Sequence, residues 1–257
     1  MYKEYDFVWG GKGMPLFRKT KKLDGFDKIY VNETDSAKYE DYNRLKDNVL
    51  YMNVDGNTKV IQIESALMSE GKTTLVSNLA VSLGLTNKKV VIVDIDFRRP
   101  KVHRMFSLSK DVGVAEYVLE DKKLEDVIKT TEYKNVDVIT RGAKVYNSSL
   151  LLVSDKFKKL ISELREKYDF VFLDCAPVLQ ISDYIHISKV SDGVLFLVAY
   201  GVTTKTQVFE AVKQLKQNNA NILGTVFTMY DNKSDKASYN KENYYKYKYI
   251  EHPEAEE

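Results

Sequence analysis

Six short runs of aliphatic and β-branched residues, separated by longer half-polar stretches, restrict this chain more than any other feature. In order they are KVIQIES, KKVVIVDID, VDVIT, YDFVFLDC, DGVLFLVAY and NILGTVFTM. Between them lie TTLVSNLAVSLGLTN, SDKFKKLISELREK and TKTQVFEAVKQLKQN, which read as helices. Strands that are apolar on both faces need cover on both faces, and helices above and below a parallel sheet supply it. The expected architecture is α/β: a doubly wound, mostly parallel sheet whose site lies at the carboxyl ends of the strands.

The chain of 257 residues is long enough for one such domain with appendages. Residues 1–35 carry glycines and lysines without sustained periodicity and read as an irregular N-terminal arm. SAKYEDYNRLKDNVLYM follows, with Tyr39, Tyr42, Leu45 and Val49 on one helical face, and opens a domain spanning residues 36–230. From Asp231 onward large aliphatic residues nearly vanish, leaving Ile250, so residues 231–257 are expected to form a flexible tail. That tail holds Tyr239, Tyr244, Tyr245, Tyr247 and Tyr249 within eleven residues. A solvated terminus accounts for its lysines and glutamates but not for five phenols, which ordinarily bury their rings.

Charge and composition exclude several classes. A formal net charge of +2 creates no bulk field calling for nucleic acid, and no basic stripe with a recognition helix stands out. One cysteine and three scattered histidines do not assemble the usual zinc set. The longest apolar run, GVLFLVAYGV, is about half of what a membrane helix needs. The first residues lack the apolar core of a secretory signal. The expectation is a cytoplasmic protein.

Three motifs fall where the first, second and fourth apolar runs end. SALMSEGKTT places Ala66, then four residues, then Gly71-Lys72-Thr73, the phosphate-loop spacing (Walker A), between a strand and a helix. In such a loop backbone N–H groups cradle phosphate oxygens, here over Leu67, Met68, Ser69, Glu70, Gly71 and Thr74. Lys72 would reach the β- and γ-phosphates, and the Thr73 hydroxyl would ligate Mg²⁺. VVIVDIDFRRP sets Asp94 and Asp96 two apart, a pair of carboxylates best tolerated beside a cation. YDFVFLDCAP delivers Asp174 in the pattern of a Walker B aspartate that holds Mg²⁺ directly or through water. Together they read as a nucleotide–magnesium site in a P-loop NTPase fold. Cys175 reads as a small buried hydrophobe.

These residues, with GVAEYVLE, NSSLLLVSDKFKKLI, ISDYIHISKVSDGVLFLV and ILGTVF, resemble in order and spacing the bacterial tyrosine kinases of capsule and exopolysaccharide synthesis. The resemblance covers residues 36–230, and Asp94, Asp96 and Arg98 match the family's Walker A′ element. It implies a kinase that uses ATP and Mg²⁺ to phosphorylate its own C-terminal tyrosine cluster, here Tyr239 to Tyr249. It implies Lys72, Asp94 and Asp96 as catalytic residues, Asp94 accepting the phenol proton, and Arg98 as a nucleotide contact. Thr73, Asp96 and Asp174 would serve the metal. The implied partners are a transmembrane polysaccharide co-polymerase-type activator, which would recruit the kinase to the inner face of the membrane, and further copies of the chain.

The chain departs from the family at four places. Met68-Ser69 replaces proline-glycine in the loop, DCAP replaces DTPP or DSPP, and Thr228 stands where an asparagine lies near the base. The family's ring-forming E-x-x-R-x-x-R becomes Glu40, Asn43 and Lys46, which removes an arginine fork and weakens the expectation of a ring. Leu67 occupies the position of the extra lysine in chromosome-partition and septum-positioning ATPases. That argues against the competing reading of a nucleotide-switch ATPase with an incidental tail. A third reading is a scaffold that binds nucleotide weakly.

Overall fold

The structure, a computed structural model, describes residues 5–10, 14–19, 28–30 and 37–229. β1 (Tyr5–Gly10) and β2 (Met14–Lys19) form an antiparallel two-stranded sheet, so the arm expected to be irregular over residues 1–35 contains a hairpin. The strands flank a Gly-Lys-Gly sequence of turn-forming composition. The arm is also tied to the main domain. Asn78 accepts a hydrogen bond from Tyr30 N at 2.6 Å and donates one to Lys28 O at 3.0 Å, and Ile29 joins the core.

α1 (Ala37–Met52) leads into β3 (Val60–Ser65), α2 (Lys72–Leu85), β4 (Val90–Asp94), and the short helices α3 (Val102–Met105), α4 (Val114–Leu119) and α5 (Leu124–Val127). After β5 (Lys129–Thr130) and β6 (Val136–Ile139) come α6 (Ser148–Val153), α7 (Asp155–Lys167) and β7 (Phe170–Asp174). α8 (Tyr184–Ile187), β8 (Gly193–Ala199), α9 (Lys205–Gln217) and β9 (Ile222–Thr228) complete the described chain. The seven-stranded sheet has the order β5-β6-β4-β7-β3-β8-β9 and is parallel throughout except for the β5–β6 pair at one edge. The six apolar runs of the sequence become β3, β4, β6, β7, β8 and β9.

Alternation along the strands divides the core between the two faces. Ile61, Ile63, Ile92, Phe172 and Leu197 pack with α1 and α2 on one side. Val91, Val93, Val171 and Leu173 pack with Phe157, Leu160 and Leu164 of α7 on the other. Each fully buried side chain of this size contributes about 1.5–3 kcal/mol relative to exposure. Glycine is required where α2 crosses the sheet: a Cβ on Gly84 would lie 2.6 Å from Lys134 O and 2.8 Å from Val136 Cγ2. α1 buries Val49 and sets Tyr39, Tyr42 and Leu45 against the same cluster, as its periodicity predicts.

Asp192 fixes where β3 starts. Its carboxylate accepts Lys59 N at 2.8 Å and Val60 N at 2.7 Å, and forms a two-pronged pair with Arg165 at 2.7 and 2.9 Å. One side chain thus registers β3 against the end of α7. Replacing Asp192 by Ala strands two strand-entry N–H groups and a guanidinium, and is expected to lower unfolding free energy by about 2–4 kcal/mol, measured by urea denaturation.

Candidate phosphate and carboxylate site

β3 ends at Ser65 and α2 begins at Lys72, so the loop between them lies at the carboxyl edge of the sheet. Ser69 (φ 63°) and Gly71 (φ 92°) both adopt the left-handed conformation, bracketing Glu70 and giving the backbone a concave turn of the kind that presents N–H groups to anions. Ser69 holds this conformation at a cost of about 1–2 kcal/mol that a glycine would avoid. Lys72 is buried, and its ammonium donates to Ser65 Oγ at 2.8 Å, which in turn donates to Leu67 O at 2.7 Å. The loop's two ends are thereby locked together through the lysine.

Asp94 and Asp174 close the neighbouring strands β4 and β7 in direct register. Both are buried, and among the described residues each keeps one oxygen without a hydrogen-bond partner. Asp94 Oδ2 accepts Val102 N at 3.1 Å, and Asp174 Oδ2 accepts the Thr73 hydroxyl at 2.6 Å. Burial, and then the Asp174 charge, raises the Asp94 carboxyl well above its ordinary range. Burial pushes Asp174 up to about 6, opposed by the Thr73 hydrogen bond and by Lys72. Asp96 stands past the end of β4, half-buried, and caps a turn by accepting Arg98 N at 3.1 Å and Arg99 N at 2.9 Å. Its charge raises both other aspartates, so the three carboxylates share one electrostatic site with Lys72.

The structure therefore brings together Lys72, Thr73, Asp94, Asp96 and Asp174. Other expected contacts lie at the edge of this group. The Arg98 side chain is exposed, Leu67 packs into the apolar cluster with Val208 and Val212, and Met68 Sδ accepts Arg99 Nη1 at 3.0 Å. Thr74 lies one residue further along α2, partly buried. Tyr239, Tyr244, Tyr245, Tyr247 and Tyr249 lie outside the described residues. On α1, Lys46 pairs with the adjacent Asp47 at 3.3 Å, while Glu40 is exposed and Asn43 partly buried. Cys175 is fully buried, its thiol donates to Leu173 O at 3.2 Å, and burial raises it well above the ordinary value.

A nucleotide phosphate with Mg²⁺ fits these residues. Two orphaned carboxylate oxygens face a buried ammonium and a hydroxyl, beside a left-handed backbone turn. Among the described residues no three His, Cys, Asp or Glu side chains form a complete metal site. Mg²⁺ takes one or two carboxylates and completes its shell with phosphate and water.

Two features escape the sequence reading. Glu64, on β3 just before the loop, is fully buried; it accepts Gln62 Nε2 at 2.6 Å, and burial pushes its carboxyl up to about 8. Gln62 and Glu64, two polar residues two apart in an apolar strand, were the available signal. The second is a clasp on Glu70. Its buried carboxylate accepts the Thr203 hydroxyl, and its backbone oxygen accepts the Thr228 hydroxyl at 2.7 Å. The loop is thus held by the segment after β8 and by the last residue of β9.

The clasp predicts that Thr228→Val, which keeps the shape and deletes the hydroxyl, weakens nucleotide binding roughly 5- to 10-fold in calorimetric titration, with Thr228→Ser restoring it. Glu64 predicts a pH effect. The native state keeps its proton up to about pH 8, whereas the unfolded chain releases it near 4.5, so this contribution to stability is present below pH 4.5 and lost as pH rises through 8. Asp94 and Asp174 act in the same direction. The melting temperature of the nucleotide-free protein is expected to fall between pH 5.5 and 8.5, and Glu64→Gln to flatten that fall.

Comparison with known proteins agrees with this geometry. Residues 58–225 match the AAA domain family. The tyrosine-protein kinase YwqD of Bacillus subtilis (strain 168) is 33% identical over 198 residues, covering 77% of this chain and 84% of that protein. The tyrosine-protein kinase etk of Escherichia coli (strain K12) is 30% identical over 195 residues, 76% of this chain but 27% of that longer protein. The solved kinase domain of Escherichia coli ETK superposes with a TM-score of 0.75 at 27% identity, covering 82% of each chain. The sheet is accordingly that of a P-loop NTPase, and the chain belongs to the bacterial tyrosine-protein kinase family.

Proposed function

We propose that this protein is an ATP- and Mg²⁺-dependent tyrosine autokinase whose acceptors are Tyr239, Tyr244, Tyr245, Tyr247 and Tyr249. The observation that carries it is the buried Asp94–Asp174 pair closing adjacent strands beside Lys72 and the phosphate loop. In the reaction a phenol oxygen forms a bond to the γ-phosphorus, the bond to the β-phosphate oxygen breaks, and ADP leaves. The phenol proton passes to Asp94. A tyrosine hydroxyl with a pKa near 10 is a poor nucleophile at neutral pH and gains from a carboxylate placed to accept its proton as transfer proceeds.

Lys72 neutralises charge on the transferring phosphate, and the N–H groups of the loop and of the α2 N-terminus orient it. Asp96 and Asp174, with the Thr73 hydroxyl, would hold Mg²⁺, which when bound offsets charge between the β- and γ-phosphates. The nucleotide contacts would come from residues 67–74 and Arg98.

The resemblance extends the proposal to physiology. The kinase would act in capsular or exopolysaccharide synthesis, activated by the cytoplasmic end of a transmembrane polysaccharide co-polymerase-type protein that recruits it to the membrane. Among the described residues no helix is long and apolar enough to cross a membrane. The acceptor tail would be that of a neighbouring copy.

Incubation with ATP and Mg²⁺ in the presence of the activator, read by phosphotyrosine mass spectrometry, is expected to label Tyr239 to Tyr249. Lys72→Met is expected to lower transfer by at least roughly 100-fold while leaving the circular dichroism unchanged. Unlabelled wild-type tail would overturn the kinase reading in favour of a nucleotide switch or a scaffold.

A further inference from the structure

A band of cations begins beside the carboxylate site and runs away from it along the carboxyl edge of the sheet. It starts at α3, whose first N–H, from Val102, is bonded to Asp94. Lys101 is close enough that its charge lowers Asp174. Next comes His103, whose Nδ1 is buried without a partner among the described residues. Burial, followed by the charges of Arg104, Lys110, Arg141 and Lys129, keeps this imidazole below its ordinary value.

Two of those cations are held in place by neutral oxygens, which orient the charge without cancelling it. Lys129 Nζ donates to Ser109 O and, at 2.8 Å, to Thr140 Oγ1. Arg141 donates to Phe97 O at 3.3 Å and to Gly142 O at 3.2 Å. None of Arg104, Lys110, Lys129 and Arg141 has a carboxylate within 4.0 Å among the described residues. The acids that Lys129 senses are Asp111 and Glu116. Asp111 is tied to Ser109 at 2.6 Å, and Glu116 is buried with its two oxygens taken by Gly113 N and Ala143 N. Side chains held this way with their charge unmet are an interaction surface for a flexible polyanion.

The chain carries such a segment. Residues 251–257 read EHPEAEE, with four glutamates in seven positions, directly after the tyrosine cluster. Glu254 lies five positions beyond Tyr249, a span of up to about 17 Å when extended. An acidic segment seated on the cations around His103 would leave the preceding tyrosines within reach of the Asp94 end of the band. We propose that the surface formed by Arg104, Lys110, Lys129 and Arg141 captures the glutamates of residues 251–257 from a second copy of this chain and so presents its tyrosines to the phosphate site. The inference rests on the tail being the acceptor. It adds a recruitment surface separate from the residues that hold nucleotide.

The test is transfer between two full-length chains, a wild-type donor and a Lys72→Met acceptor. Donor Arg104→Glu/Lys110→Glu is expected to raise the KM for acceptor roughly 10-fold at low salt, with kcat and the Kd for ADP unchanged. Acceptor Glu254→Gln/Glu256→Gln/Glu257→Gln is expected to do the same. The reversed-charge donor paired with a Glu254→Lys/Glu256→Lys/Glu257→Lys acceptor should recover most of the loss, and raised salt should erase the differences.

If the wild-type pair shows no transfer with the activator present, the proposed function fails. If the wild-type pair transfers and both charge variants keep its KM, the recruitment inference fails. Loss confined to the donor variant, with neutralised acceptor transferring normally, would assign the surface to another polyanion and also overturn it.

Discussion

Two carboxylates that end neighbouring parallel strands at the same register, Asp94 and Asp174, set the terms for the rest of the molecule. With Glu64 they place three acids in the interior against one buried ammonium, Lys72. Such a group is unfavourable in isolation, since each carboxylate loses hydration and the charges repel. The surrounding hydrogen bonds ease this unevenly. Val102 N supports Asp94, Thr73 supports Asp174 and Gln62 supports Glu64, yet one oxygen on each acid stays unmatched. The sheet, held by two-sided apolar packing and registered by Asp192, keeps a charge imbalance that a bound phosphate and dication would offset.

Much of this was legible in the sequence because the relevant signals are local. Apolar runs covered on both faces dictate a parallel sheet, and a loop between strand and helix with Gly71-Lys72-Thr73 dictates where phosphate goes. The strand limits differ from the apolar runs by one or two residues. Less legible was whatever depends on contacts distant in sequence. Thr228 lies 158 positions from Glu70, and Asp192 lies 132 from Val60, so no window of sequence reveals either bond. The hairpin of β1 and β2 escaped because a glycine-rich segment with weak alternation reads as coil. The short helices α3, α4, α5 and α8 are too brief for helical periodicity to register.

Departures from the family's loop sequence have a physical reading here. Ser69 enters the left-handed region, so the concave turn forms without a glycine at that position. Strain of this kind persists where neighbouring contacts over-determine the backbone, and the Glu70 clasp supplies such contacts on the next residue. On α1 the change at Asn43 is accompanied by a lysine, Lys46, that is already engaged with Asp47. The electrostatic grip that two arginines would offer a neighbouring subunit is therefore reduced on this helix.

Thr228 is a junction. It is the final residue of β9, an edge strand, and every residue beyond 229 is attached to the domain through it. The same side chain holds the carbonyl at the centre of the phosphate loop. Root of the tail and floor of the nucleotide site are thus one structural unit. Binding equilibria that share a unit are linked with equal strength in both directions. On the proposed function, occupancy of the loop would bias how the tail is presented, and engagement of the tail would bias how tightly the loop holds phosphate. Through that single hydroxyl, substrate and cosubstrate would sense one another before any bond between them is made.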